Sequence, residues 1–312
     1  MNWCGVDVSS QVLDAKVWPG LAELQVSNTP QGVAELAAWC KAQGVELAVM
    51  EATGGYERSA FRLLWAHGVA AAVVNPRQVR RFAEAMGFLE KTDRIDAGLI
   101  ARFAAAKGVE PQPPPPQAQD RLAALVTRLG QLTALKVAQE NQRRLVEDET
   151  VDASIGEILS LVNGQVRRFE TQIAELLQAD PLWRELDRVF RQTKGVADRT
   201  VARLMAQMPE IGTLSGKEVA KLAGLAPLAK ESGKQKARRS IRGGRPGVRA
   251  LLYLIAGLVA RYEPDYAAFR QKLLNAGKPR KVVRIALARK LLVRLNAKAR
   301  EVRNNLTTSL HA

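Results

Sequence analysis

The stretch WCGVDVSSQVLDAKVWPGLAELQVSN, residues 3–28, decides the fold of the first part of the chain. It holds three β-type runs, WCGVDVSS, LDAKVWPG and LQVSN, separated by turn residues, and the first two are close enough to form a hairpin. Outward from it, GVAELAAWCKAQG (32–44) spaces Val33, Leu36, Ala37 and Cys40 onto one helical face. A buried-looking strand VELAVME (45–51), a helix from Tyr56 to His67 and an apolar strand VAAAVVN ended by Pro76 follow. Three strands, helix, strand, helix, strand is the order of a ribonuclease-H-like mixed sheet, an α/β domain whose strand ends are free to carry a site. A helical stretch from Arg77 to Lys107, broken near Gly87, completes it.

VEPQPPPPQ (109–117) is a stiff polyproline segment that neither a helix nor a central strand can absorb. The expected organisation is therefore an α/β domain over 1–108, a linker over 109–118, a helical arm over 119–192 and a basic all-α domain over 193–312. In the arm, Leu122, Leu125, Leu129, Leu132 and Leu135 recur at helical spacing. So do Ile155, Leu159, Val162, Val166, Phe169, Ile173 and Leu176. Both a long antiparallel coiled coil and an ordinary bundle face satisfy those stripes. In the last block, TKGVADRTVARLMAQMPEIG and GKEVAKLAGLAP suggest a helix-hairpin-helix-like element, whose turn amides meet phosphates. AKESGKQKARRSIRGGRPG reads as a basic, glycine-rich loop, followed by two helices from about Val248 to Arg261 and Lys281 to Arg300.

The 312 residues carry a formal charge of +16, distributed unevenly. Residues 1–116 hold 11 Lys/Arg against 12 Asp/Glu, residues 117–192 hold 10 against 12, and residues 193–312 hold 26 against 7. The whole excess lies in the last block, which is the electrostatic footprint of a polyanion binder, with nucleic acid as the leading partner. No run approaches the roughly 18 apolar residues of a membrane span. No export signal precedes WCGVDVSS, and two cysteines make no disulfide framework, so a cytoplasmic setting is the expectation. Two histidines, His67 and His311, and no Cys/His cluster exclude zinc sites and leave catalysis to carboxylates, hydroxyls or bound metal.

Asp7 stands between Val6 and Val8 inside a strand pattern, where an acid is costly unless paired, hydrogen-bonded or metal-bound; a turn or edge position is the plain alternative. Glu51 ends an apolar strand just before a flexible TGG, where α/β sheets place their sites. Asp93 and Asp96, three apart in KTDRIDAGLIARF, share a helix face, and something positive should lie between them: the helix dipole and Arg94, or a metal. Four such acids suggest a divalent-ion site of the phosphoryl-transfer kind, binding Mg²⁺ or Mn²⁺.

GVDVS, MEATGGYE and KTDRIDA, in this order, closely resemble the DEDD (RuvC-like) motif set of the insertion-sequence transposases of the one-hundred-and-ten family, relatives of the Piv invertase associated with bridge-RNA-guided recombination. GLAPLAKESGKQKARRSIRGGRPGVRALLY resembles the family's C-terminal stretch of proline, serine-glycine, basic loop and a helix opening with Arg-x-Leu-Leu. Lys194 and Ala197 depart from the Pro and Gly to which the family tends in the hairpin turn. The resemblance implies a RuvC-like domain in which Asp7, Glu51, Asp93 and Asp96 hold divalent metal, and a basic transposase domain in which Ser232 is the nucleophile on a DNA phosphodiester. Lys230, Lys234, Lys236, Arg238, Arg239, Arg242 and Arg245 would surround that serine as nucleic-acid-binding residues. A loop serine is the plain alternative for Ser232, and Ser240 is the rival hydroxyl. The expected activity is DNA transposition or recombination, with donor and target DNA and a bridge RNA as partners. A homodimer or homotetramer, its site shared between subunits, would carry it out. A RuvC-like structure-specific nuclease and a non-catalytic binder of structured nucleic acid are the competing readings.

Overall fold

The computed structural model describes residues 1–88, 93–228, 231–232, 235–236 and 240–311; at 93–96, 231–232, 235–236 and 309–311 it describes the backbone alone. The chain divides into two compact units, Met1–Pro115 and Pro116–Ala312.

In the first unit, β1 (Asn2–Val8), β2 (Val12–Trp18), β3 (Glu23–Ser27), β4 (Val45–Glu51) and β5 (Ala71–Val74) form one mixed sheet in the order β3-β2-β1-β4-β5. The β1-β2 and β2-β3 pairs are antiparallel, and β1-β4 and β4-β5 are parallel. The helices are α1 (Pro30–Ala42), α2 (Glu57–Ala66), α3 (Pro76–Ala85) and α4 (Asp93–Lys107). Two-residue periodicity sends Cys4, Val6 and Val8 toward Leu36, Cys40 and Leu64, while Trp3, Leu47 and Val49 pack with Leu99, Ile100 and Phe103 of α4. Both faces are covered, which is why β4 reads as a continuous apolar run rather than an alternating one. Thr29 caps α1 by accepting from the Gly32 amide, Asn75 caps α3 by accepting from the Arg77 amide, and a proline follows each cap.

Gly5 sets the closeness of this packing. A Cβ there would lie 1.9 Å from the Ala97 carbonyl oxygen and 2.6 Å from the Ala101 nitrogen, so β1 and α4 touch backbone to backbone. The proline segment has no helix or strand, as its composition requires, yet it is fastened to the first unit: Val109 is buried, and the Gln112 amide donates to Ala71 O of the edge strand at 3.0 Å.

The second unit opens with an αα-hairpin of α5 (Gln117–Arg143) and α6 (Glu149–Ala179). Its buried seam takes Leu122, Val126, Leu129 and Leu132 against Val162, Val166, Ile173 and Leu177. Leu122, Leu129 and Leu132 of the leucine repeat thus face the seam, while Leu125 is only partly buried beside the buried Val126 and Leu135 is exposed. Then come α7 (Pro181–Arg191), α8 (Asp198–Gln207), α9 (Gly216–Leu222), four two-residue strands, α10 (Pro246–Tyr262), α11 (Pro264–Asn275) and α12 (Arg280–His311). Three helices thus follow residue 245 where two were expected. The missed one, α11, is announced by Pro264 at its first position and Asp265 in its first turn.

The expected basic loop contains paired strands. β6 (Pro227–Leu228) pairs with β9 (Ser240–Ile241), and β7 (Glu231–Ser232) with β8 (Gln235–Lys236), both antiparallel. Among the described residues no helix is long and apolar enough to cross a membrane.

Candidate functional site

The acids of the first unit gather at one end of the sheet. Asp7 follows Val6 on β1 and Glu51 follows Met50 on β4; Val6 and Met50 are register partners on adjacent parallel strands. The two half-buried carboxylates therefore stand side by side at the C-terminal ends of β1 and β4. On the other side of β1, Asp14 of β2 is the antiparallel register partner of Asp7 and accepts a hydrogen bond from Gln25 Nε2 at 2.7 Å. Two acids directly opposite one another on a sheet face repel, so this row favours a cation.

The direction of α4 brings its first turn to the same end. The Arg102 guanidinium lies 4.4 Å from the centroid of Trp18, which pairs with Trp3 at the start of β1. Earlier in the helix, a Cβ on Gly98 would meet Lys16 Cδ at 3.0 Å, and Lys16 pairs with Gly5. Ala97 borders a concavity that Asp14 also lines. Walking backward along α4 thus moves toward Asp7, and the helix runs antiparallel to β1. Asp93 and Asp96, which the structure describes by backbone, open α4 at the acidic end of the sheet. The positive end of the helix dipole is there too. Among the described residues no three His, Cys, Asp or Glu side chains converge on a metal position, and the side chains of Asp93 and Asp96 lie outside them. Acid oxygens from two strand ends and one helix start are nonetheless the donor type that Mg²⁺ or Mn²⁺ takes.

Two residues missed in the sequence tie the loops of this end together. Glu57, at the start of α2, is buried, and its Oε2 accepts from the Thr53 amide at 3.1 Å and the Gly55 amide at 2.8 Å. The carboxylate thereby clamps the turn that follows Glu51, in which Gly54 and Gly55 have φ of 75° and 117°. Asn28 Nδ2 donates to Ser9 O at 2.8 Å and Tyr56 O at 3.4 Å, joining the loops after β1 and β4. The signal for Glu57 is present in TGGYE, a glycine turn with an acid two residues on, but in sequence it looks the same as an ordinary acid in the first turn of a helix.

In the second unit, Ser232 pairs with Gln235 and Glu231 with Lys236, so Ser232 and Lys236 occupy the two strands of a minimal hairpin. Lys230, Lys234, Arg238 and Arg239 lie outside the described residues, and the side chains of Ser232 and Lys236 do as well. The base of this segment is a built structure. Pro227 pairs with Ile241 and Leu228 with Ser240. A Cβ on Gly244 would lie 2.2 Å from Gly224 N, and Arg249 Nη1 donates to Gly243 O at 2.8 Å. Arg242 is exposed. Arg245 is committed elsewhere: its guanidinium donates to both Glu210 oxygens, at 2.7 and 2.5 Å, and to Gln207 O at 2.7 Å. It is better placed to hold the loop base than to meet a phosphate.

Burial pushes the Glu210 carboxyl pKa up, but its hydrogen bonds and the Arg245 charge outweigh that and leave it below the usual carboxylate range. A depressed folded-state pKa adds stability that is present above the unfolded value, about 4.3, and is lost as pH falls through the folded one. Melting curves should therefore separate wild type from Glu210→Gln at pH 7 and converge progressively as the pH falls into the acid range where Glu210 protonates in the folded protein. A gap that does not narrow as pH falls would show that charge is not what Glu210 contributes.

The hairpin-like turn before α8 has part of its phosphate-binding potential used up. The Lys194 amide donates to Glu263 Oε1 at 2.8 Å, and a Cβ on Gly195 would lie 3.1 Å from Val259 N, so this turn rests on α10.

A mixed sheet with carboxylates at its central strand ends, followed by a basic helical unit, is matched by two transposase family models in chain order. One, of the IS110 DEDD type and described as Transposase, spans residues 4–149; the other, described as Transposase IS116/IS110/IS902 family, spans residues 187–271. The chain belongs to the IS110 family of transposases and is a DNA transposase/recombinase enzyme. It is also similar to the pilin gene-inverting proteins of Moraxella bovis and Moraxella lacunata, each 26% identical over 313 residues that cover 93% of this chain and 93% of the relative.

Proposed function

We propose that this chain cuts and rejoins DNA by two transesterifications in which Ser232 is the nucleophile and Asp7, Glu51, Asp93 and Asp96 hold divalent metal. The observation that carries the reading is the side-by-side position of Asp7 and Glu51 at the ends of adjacent parallel strands, with the first turn of α4 at the same end. In the first step Ser232 Oγ bonds to the phosphorus of a DNA phosphodiester, the bond to one sugar oxygen breaks, and that oxygen leaves as a hydroxyl carrying a proton. In the second, a sugar hydroxyl attacks the phosphoserine and Ser232 regains its proton. The number of phosphodiester bonds is conserved, so no nucleotide cofactor is consumed. Mg²⁺ or Mn²⁺, when bound, supplies neutralisation of phosphoryl charge and lowers the cost of deprotonating the attacking hydroxyl. Lys230, Lys234, Lys236, Arg238, Arg239 and Arg242 hold and orient the backbone phosphates and read no bases.

The partners in this reading are donor and target DNA and a bridge RNA that delegates target choice to base pairing. The protein acts in the bacterial cytoplasm as a homodimer or homotetramer. Denaturing gels of reactions with end-labelled DNA, with and without the RNA of the protein's own locus, test it. The expected result is a protein–DNA adduct that Ser232→Ala abolishes, with target preference present only when the RNA is added. Hydrolysed ends without adduct would replace this reading by metal-dependent nuclease action. Intact DNA would leave a nucleic-acid binder. Strong target preference in RNA-free protein would overturn the guided part alone.

A further inference from the structure

Among the described residues of the second unit, the strongly exposed large apolar side chains lie in two places. One is the far end of the αα-hairpin, where Leu135, Val137, Leu145, Val151, Ile158 and Leu161 reach solvent, Leu145 with 88% and Leu161 with 66% exposure. The other is a groove of about 720 Å³ formed by α10, α11 and α12, in or beside which Leu254, Leu258, Tyr262 and Val282 are exposed. Val151, Ile158 and Leu161 share one face of α6 at spacings of seven and three. Leu254, Leu258 and Tyr262 share one face of α10 at spacings of four.

The charges around the two patches are opposite. Residues 145–161 contain five acids and no lysine or arginine; Asp152 is paired with Arg143 at 2.7 Å and Asp148 caps α6, which leaves Glu147, Glu149 and Glu157 to face a partner. The groove is lined by Arg261, Arg270, Arg280 and Arg284. Arg284 is fixed as part of the wall, donating to Tyr253 O at 2.8 Å and Leu254 O at 3.0 Å across α10, where Gly257 leaves the room: a Cβ there would come within 2.8 Å of Arg284 Nη2. Arg261, Arg270 and Arg280 have no carboxylate partner among the described residues. The two acids nearest in sequence are engaged elsewhere, Glu263 with the Lys194 amide and Asp265 with Arg294.

We propose that the groove of α10–α12 receives the N-terminal half of α6 from a second copy of this chain. An amphipathic helix laying an apolar face into a groove is a recurrent mode of recognition, and here each partner's rim charge selects the other. Arm against arm would set Glu147, Glu149 and Glu157 against their own copies, and groove against groove would set arginine against arginine. Each copy carries one arm and one groove, so a two-fold axis satisfies both with two equivalent contacts and closes the assembly. This extends the self-assembly proposed above and leaves the serine chemistry aside, because its test reads assembly alone.

Sedimentation velocity on full-length protein, free of nucleic acid and divalent metal, provides that test. Glu149→Lys with Glu157→Lys should weaken self-association at least about tenfold, and so should Arg270→Glu with Arg280→Glu. All four changes in one chain should restore it, because charge pairing is then reinstated with the signs exchanged. If a reversal set lowers the melting temperature, Leu161→Gln and Leu258→Gln replace it and should each weaken association. Monomeric wild type would overturn the proposal. So would loss of assembly from only one of the two reversal sets; loss from the arm changes alone would mean that arms pair with each other. Failure of the four-change chain to recover would also count against it.

Discussion

Asp7→Asn or Glu51→Gln will lower DNA strand cleavage by about three orders of magnitude or more, with nucleic-acid binding and folding nearly unchanged. Carboxylates that hold divalent metal act on the charge that develops at phosphorus, and an amide of the same shape keeps the packing while losing that grip. Stability should hold or rise, because Asp7 stands opposite Asp14 and beside Glu51, and neutralising one acid of the row relieves repulsion. Single-turnover cleavage with Mg²⁺, paired with thermal melts, measures both quantities. Full activity in excess chelator, or a marked fall in melting temperature, would assign these acids a structural role.

Gly5→Ala should be the most damaging single methyl in the first unit. The new Cβ would sit inside the van der Waals radius of backbone atoms at Ala97 and Ala101, and backbone cannot swing away as a flexible side chain can. Either β1 and α4 separate, or the strand twists out of register with β4. An overpacking cost of about 3 kcal/mol or more follows, which for a unit of this size is a fall of roughly 10 °C in Tm. Because α4 carries Asp93 and Asp96, cleavage should fall with it even at temperatures where the unit stays folded. Gly20→Ala is the control: its Cβ would meet nothing closer than Val17 Cγ1 at 3.4 Å, and it should be nearly neutral. Equal stability of the two variants would refute the tight β1-α4 packing.

Much of the first unit was legible because its local signals agree with its tertiary structure. Strand residues alternate or run apolar according to whether one face or two are covered, and Thr29-Pro30 and Asn75-Pro76 mark helix starts by satisfying the first amides. The glycine break near 87 is real, with φ of 80° at Gly87. The second unit was less legible. Leucine spacing in α5 marks Leu122, Leu129 and Leu132 of the seam but puts Leu125 where Val126 is buried, because both are apolar and only packing chooses between them. The short strands around Ser232 hide in a run of lysines and arginines, where no two-residue periodicity can show. At the acidic end, Asp7 and Glu51 could be found because acids in strands are expensive. Glu57 could not be separated from an ordinary helix-start acid until its carboxylate was seen accepting amides from the Thr53–Gly55 turn. Arg245 shows the converse: in sequence it is one more cation of a basic block, and only the Glu210 pairing reveals where its charge is spent.

The β6-β9 ladder, with Gly224 and Gly244 pressed backbone to backbone beneath it, has a consequence for how this family can vary. Leu228 and Ser240 are already register partners, so the entropy of bringing the ends of the intervening eleven residues together is met by the folded unit itself. From such a base, added length is inexpensive, about 0.6 kcal/mol for each doubling of the loop. The segment that bears Ser232 can therefore lengthen, shorten or be exchanged to suit a different nucleic-acid geometry while the helices that hold its two ends stay as they are.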